Sequence, residues 1–196
     1  FIDYQGNIQY TLNMAKGLQD NFVWALCLDN TGNLWVAFNN GISLVELNTH
    51  FTYYNENAGL YGHVYQLLPY KNYLFAATSI GTFYKPLIPK NVEENRFKPI
   101  FNINTQTWRF QPVDDGILVT ANNGIFFLKD TTATLVPVNI KDEIPTPRSW
   151  FIMPIPNYPE KLFVNTALGL LLVEKENGKW QIKKKIKGIA RENLFY

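Results

Sequence analysis

Cysteine is nearly absent. Cys27 is the only one in 196 residues, which excludes an intrachain disulfide framework and any Cys-based metal cluster. Histidine is almost as scarce, with His50 and His63 alone, and neither a His-x-x-His nor a Cys-x-x-Cys ligand spacing occurs. Charged residues make up 17%, below the roughly 25% usual for globular domains. A formal net charge of +2 argues against nucleic acid or an anionic membrane surface as partner. No run approaches the ~20 apolar residues of a membrane helix, so no direct membrane insertion is expected of this segment. No helical period persists beyond three turns. Gly-x-Ser-x-Gly elbows and phosphate-cradling glycine loops are missing. Of the adjacent carboxylates, Glu93-Glu94 lies in a polar stretch and Asp114-Asp115 in a turn where Asp bonds locally. No catalytic residue, metal site or cofactor is expected.

What is present favours strands and turns: 15% aromatic residues, 12 Gly and 11 Pro. Leu34 to Ile42 reads as a strand, a tight turn and the start of a second strand. The pattern returns at Leu74 to Thr82, Ile117 to Ile125 and Leu162 to Leu170, with Gly41, Gly81, Gly124 and Gly169 spaced 40, 43 and 45 residues apart. Self-similarity at that period marks a repeat architecture.

In chain order, 1–12 reads as strand, turn, strand. Phe22 to Leu28 is a continuous apolar strand with both faces covered and Cys27 buried within it. Asp29 to Asn33 is a hairpin turn, and an outer strand near Phe51 to Tyr54 completes a four-stranded unit. The second unit begins at His63, turns at Pro69 to Asn72, and carries an exposed excursion over 85–96 before an edge strand at Phe97 to Ile100. The third spans Trp108 to Val138 with a turn at Asp114-Asp115-Gly116. The fourth runs from Trp150 through a long turn at Pro154 to Glu160 and ends on Trp180 to Lys183. Units of about 17–60, 61–104, 105–146 and 147–187, each of four antiparallel strands, match β-propeller blades. The fold expected is an all-β propeller of about four to five blades. Phe1 and Tyr196 both fall in strand-like sequence, so the chain is expected to be a fragment of a larger propeller.

Gly17-Leu18, Asn21, Val23, Asp29, Gly32, Leu34-Trp35-Val36 and Gly41-Ile42, in this order, resemble the two-component regulator propeller repeat. The other units keep the turn glycine and apolar strand but lose the Asp and the Trp. The resemblance implies a place in the periplasmic sensor region of a membrane-anchored hybrid histidine kinase of the Bacteroidetes type. It implies as partners an oligosaccharide or other small ligand, further blades and C-terminal domains of the parent protein, and a homodimer of the full receptor. Kinase signatures are missing here, so phosphotransfer is no property of this chain.

Trp24, Tyr65, Trp108, Trp150 and Tyr196 each stand near the entry of an innermost strand. Propeller geometry would gather them at one mouth of the channel, where ring faces stack on sugar CH groups while polar neighbours take the hydroxyls. His63, Arg109 and Arg148 lie beside them as donors. The other reading is that these rings fill the gaps between blades. Trp35, with its echoes Phe75, Leu118 and Phe163, is expected to pack between blades. The Lys183-Lys184-Lys185 run is expected on an outermost strand, where lysines discourage strand addition. Two rivals to a sensor stand: a protein-interaction scaffold, and part of a secreted propeller lyase or glycosidase, which the lack of a recurring carboxylate pair disfavours.

Overall fold

Aromatic and β-branched residues broken by Gly, Asn and Asp turns leave strands as the only economical way to satisfy the backbone. The computed structural model describes residues 1–8, 10–47, 52–91, 93–139 and 147–189, and they form an all-β protein with two short 3₁₀ turns at Met14–Lys16 and Glu56–Ala58. His50 and Tyr196 lie outside the described residues. The strands are β1 (Val23–Leu28), β2 (Leu34–Phe38), β3 (Gly41–Val45), β4 (Val64–Tyr70), β5 (Tyr73–Thr78), β6 (Gly81–Pro86), β7 (Lys98–Pro99), β8 (Thr107–Val113), β9 (Gly116–Ala121), β10 (Gly124–Lys129), β11 (Thr132–Leu135), β12 (Ser149–Ile155), β13 (Tyr158–Thr166), β14 (Gly169–Glu176) and β15 (Lys179–Lys185). They make one three-stranded and three four-stranded antiparallel meanders. The repeat glycines Gly41, Gly81, Gly124 and Gly169 each begin the third strand of their sheet. The chain divides into two compact units, 1–60 with 90–96, and 61–89 with 97–196.

The first unit holds the meander β1-β2-β3. Several expectations fail here. Among the described residues of 1–12 the pairing is an isolated bridge between Ile2 and Ile8, outside any strand. Residue 51 lies outside the described residues and Thr52 to Tyr54 are not in a strand, so this sheet has three strands. All of Val23–Leu28 is exposed, Cys27 included. β1 is the edge strand of this three-stranded sheet and burial falls on its neighbour β2, at Val36 and Phe38, so an apolar strand did not translate into a buried one. Trp35 is 40% exposed and its indole serves the preceding turn: Nε1–H donates to Asp29 Oδ2 at 3.1 Å. Asp29 Oδ1 also accepts from the Thr31 hydroxyl at 2.6 Å and the Asn33 amide at 2.9 Å. Together these bonds hold the Asp29 carboxyl far below the ordinary carboxylate range, the Thr31 hydroxyl being the largest cause. Gly41 sits at φ 147, a backbone conformation that side chains rarely adopt, so a substitution there is strained.

The second unit stacks three blades. Phe75, Phe110, Val119 and Phe126 pack the β4–β7 sheet onto the β8–β11 sheet. Leu118, Ile152, Val164, Leu171 and Trp180 pack that sheet onto β12–β15. Phe75 and Leu118 are buried as expected of blade packing, while Phe163 is half-buried. Here the strands of the middle sheet, β8–β11, do have neighbours on both faces, as in a propeller. Polar bonds cross the same boundaries. Thr82 and Thr107 hydroxyls pair at 3.0 Å and both residues are fully buried. Ser149 Oγ donates to the Gly124 carbonyl at 2.7 Å, and Lys175 pairs with Asp115 at 2.9 Å.

The turns also differ from expectation. Pro69 and Tyr70 stay in β4, leaving Lys71 and Asn72 as the turn. Pro154 and Ile155 stay in β12, and the long turn shrinks to Pro156 and Asn157, with Asn157 at φ 66. In β4, β8 and β12 a proline occupies equivalent register, Pro69 opposite Leu74, Pro112 opposite Ile117 and Pro154 opposite Leu162. A missing N–H is tolerated there because the innermost strand is an edge. Lys85 and Pro86 belong to β6, and Lys85 is buried, so the exposed excursion starts only after them. The lysine-rich β15 is the last strand of its sheet, yet its edge is partly occupied. Val138 forms a parallel bridge to Ile182, with Ile182 N–H donating to the Pro137 carbonyl at 2.9 Å and Asn139 N–H to the Ile182 carbonyl at 2.8 Å.

Candidate functional site

One register irregularity recurs in every sheet. Val23 faces Phe38 while Ala25 faces Ala37; Val64 faces Thr78 while Gln66 faces Ala77; Thr107 faces Ala121 while Arg109 faces Thr120; Ser149 faces Thr166 while Phe151 faces Asn165. The extra residue in each case is Trp24, Tyr65, Trp108 or Trp150. Each is therefore a β-bulge, a device that re-aims one side chain out of the alternation. Four of the five aromatic residues picked out by their position in the sequence thus share one backbone geometry, the fifth, Tyr196, lying outside the described residues.

Trp24 belongs to the first unit, where it is exposed and meets Phe22 edge-on at 5.3 Å. In the second unit Tyr65 and Trp108 come together, ring centroids 4.9 Å apart and planes inclined by 31°. Amides fix both rings. Gln106 Nε2–H donates to the Tyr65 hydroxyl at 2.7 Å. Trp108 Nε1–H donates to Asn122 Oδ1 at 3.1 Å, and Asn122 Nδ2–H reaches Gln106 Oε1 at 3.3 Å. Tyr65 remains 41% exposed, so the stacked pair is a fixed platform with an open side. Trp150 is half-buried, and its carbonyl accepts the Thr120 hydroxyl at 3.1 Å.

The three expected donors divide by position. His63, two residues before its bulge, lends its carbonyl to the Ser79 N–H at 2.9 Å, and Arg148 does the same for Ala167 at 2.9 Å. Gln106 occupies the equivalent place, receiving the Asn122 N–H at 2.9 Å. His63 and Arg148 are both exposed. Arg109 follows its bulge, and its guanidinium lies 5.5 Å from the ring centre of Phe151 on the next blade, an exposed cation–π contact. Gln66, one blade earlier at the same position, instead bonds the backbone of Phe110.

Gln66, Gln106 and Asn122 were not singled out in the sequence. Their partners lie in other strands or blades, so no local motif betrays them; the available signal was that Gln106 shares its offset from the bulge with His63 and Arg148. Among the described residues no group of three His, Cys, Asp or Glu side chains is placed to hold a metal ion, and no helix is long and apolar enough to cross a membrane.

Residues 17–40 match the family model described as "Two component regulator propeller"; this stretch, β1 and β2 with their approach and turn, is a repeat of that kind. None of the curated proteins matches the chain. Among solved structures the chain is similar to the extracellular domain of BT4673 from B. thetaiotaomicron, a protein proposed to be a one component system. The identity is 19% over 89% of this chain and 23% of that one, with a TM-score of 0.50. A second structure of the extracellular domain of BT4673, there proposed as a hybrid two component system, gives 20% identity over 88% and 23%, with a TM-score of 0.49. The chain thus spans about a quarter of the length of these structures. The first of them shares its fold.

Proposed function

We propose that this chain is a ligand-sensing propeller segment of an extracytoplasmic two-component sensor, periplasmic in location, and that it recognises an oligosaccharide. The observation that carries the reading is the Tyr65–Trp108 platform. Two rings at equivalent bulges of adjacent inner strands are held by two amide side chains, Gln106 and Asn122, through three hydrogen bonds, with one side open. Ring faces of this kind receive the CH face of a sugar, while amide and guanidinium donors nearby take its hydroxyls. Ligand-driven change would reach the rest of the receptor through the packed blades, whose cores leave little room for continuous deformation. The propeller repeat at 17–40 supports the sensor class.

A thermal-shift screen of the intact protein against a glycan panel tests the reading. A bound glycan raises the melting temperature by mass action, about 2.7 kcal/mol of stabilisation at a hundredfold excess over Kd. No shift with any glycan would favour an interaction scaffold instead.

A further inference from the structure

The described acidic residues of the second unit, unlike its lysines, are confined to one end of its strands. Hydrogen bonds between the strand entries and the β5–β6, β9–β10 and β13–β14 turns, His63 with Ser79, Gln106 with Asn122 and Arg148 with Ala167, put these segments at one end. The opposite end carries the turns at Lys71, Asp114-Asp115, Asp130, Asn157 and Asn177. Every acidic residue described in this unit, Asp114, Asp115, Asp130, Glu160, Glu174 and Glu176, belongs to that opposite end or the strand residues next to it. The entry end holds Arg109 and Arg148, with Lys185 beside Gly169, and no described carboxylate. A net charge of +2 for the chain conceals this separation.

The platform stands at the cationic end. Gln106 reaches the Tyr65 ring of the preceding blade, and Arg148 occupies the position equivalent to Gln106 one blade further on, exposed and two residues before its own bulge. Arg109 adjoins the platform residue Trp108 in the chain. We propose that the entry end of the second unit selects an anionic oligosaccharide, one bearing a carboxylate or sulfate, with a sugar ring on Tyr65 and Trp108 and the anion met by Arg148 and Arg109. This rests on the ligand-sensing reading above and adds the class of glycan. Guanidinium groups suit the assignment because their fixed fork matches carboxylate and sulfate geometry and never loses its charge. With no described carboxylate at that end, the guanidinium groups set up a positive field that draws such a ligand in.

Calorimetric titration of the intact protein with paired oligosaccharides, neutral, uronate-bearing and sulfated on the same backbone, tests this at 50 and 500 mM salt. The anionic members are expected to bind at least tenfold tighter than the neutral one at low salt, with that advantage shrinking at high salt. Arg148→Gln is expected to abolish the advantage while leaving the melting temperature unchanged. The uronate and sulfate arms distinguish which anion is preferred. Equal binding of neutral and anionic members, insensitive to salt and to Arg148→Gln, would overturn the anion selectivity while leaving a glycan sensor intact. Binding of none would overturn the sensing reading itself.

Discussion

Gln66 bonds both backbone groups of Phe110: its Oε1 accepts the Phe110 N–H at 2.7 Å and its Nε2–H donates to the Phe110 carbonyl at 3.4 Å. Gln66 lies on β4 and Phe110 on β8, so a side-chain amide from one blade supplies a ladder partner to the inner strand of the next. Replacing it with Leu would leave a half-buried N–H and C=O without their bonds. Gln66→Leu is expected to destabilise the second unit by about 1–3 kcal/mol, read as a lower urea midpoint at unchanged slope. A midpoint equal to wild type would show that water replaces the amide at no cost.

The Thr82–Thr107 hydroxyl pair lies at the same blade boundary and is fully buried. Thr107→Val keeps the volume but leaves Thr82 without that partner. The expected loss is again about 1–3 kcal/mol, whereas the double Thr82→Val, Thr107→Val variant should recover much of it. A double-mutant cycle measures this coupling directly.

Gly116 begins β9 close to the backbone of β10. A Cβ there would stand 2.5 Å from the Leu128 carbonyl oxygen and 2.7 Å from the Phe127 ring. Gly116→Ala is expected to cost about 1–3 kcal/mol through overpacking, with a matching fall in thermal midpoint. Gly178→Ala meets no atom within 4 Å, but its φ of 76 makes it a strain control without a clash.

Acid should weaken the first unit through Asp29. Its folded carboxyl titrates far below the unfolded value of 3.8, chiefly because the Thr31 hydroxyl bonds the ionised form. A depressed folded value means the stabilisation is complete above the ordinary carboxylate range and is lost as pH falls below it. Asp29→Asn retains an acceptor oxygen but cannot ionise. Its melting temperature should therefore depend less on pH between 6 and 3 than that of wild type, measured by a tryptophan signal from the first unit. Parallel pH profiles would contradict the assignment.

The blades were legible in the sequence because a repeat writes its period into it. Gly41, Gly81, Gly124 and Gly169 all fall at the start of a third strand, since each hairpin needs the same turn. The bulges were legible only as aromatic residues at matching offsets, because a bulge is a matter of register between two strands and leaves no composition of its own. Cys27 and the rest of β1 were misread. An apolar run reports that a strand is able to be buried, but β1 is the edge of a three-stranded sheet whose buried positions fall on β2. The amides were missed for a third reason. Gln66 acts on Phe110 and Gln106 on Tyr65, some forty residues away, a distance over which only the assembled blades bring them together.

The central claim is that the Tyr65–Trp108 pair receives a sugar ring. The measurement that tests it is titration of the best glycan from the screen into the intact protein carrying Trp108→Ala, beside Gly116→Ala as a variant weakened at the opposite end of the strands. The account predicts at least a tenfold loss of affinity for Trp108→Ala, about 1.4 kcal/mol, and near-normal affinity for Gly116→Ala. Unchanged affinity in Trp108→Ala, with reduced stability alone, would show that the rings only pack blade against blade.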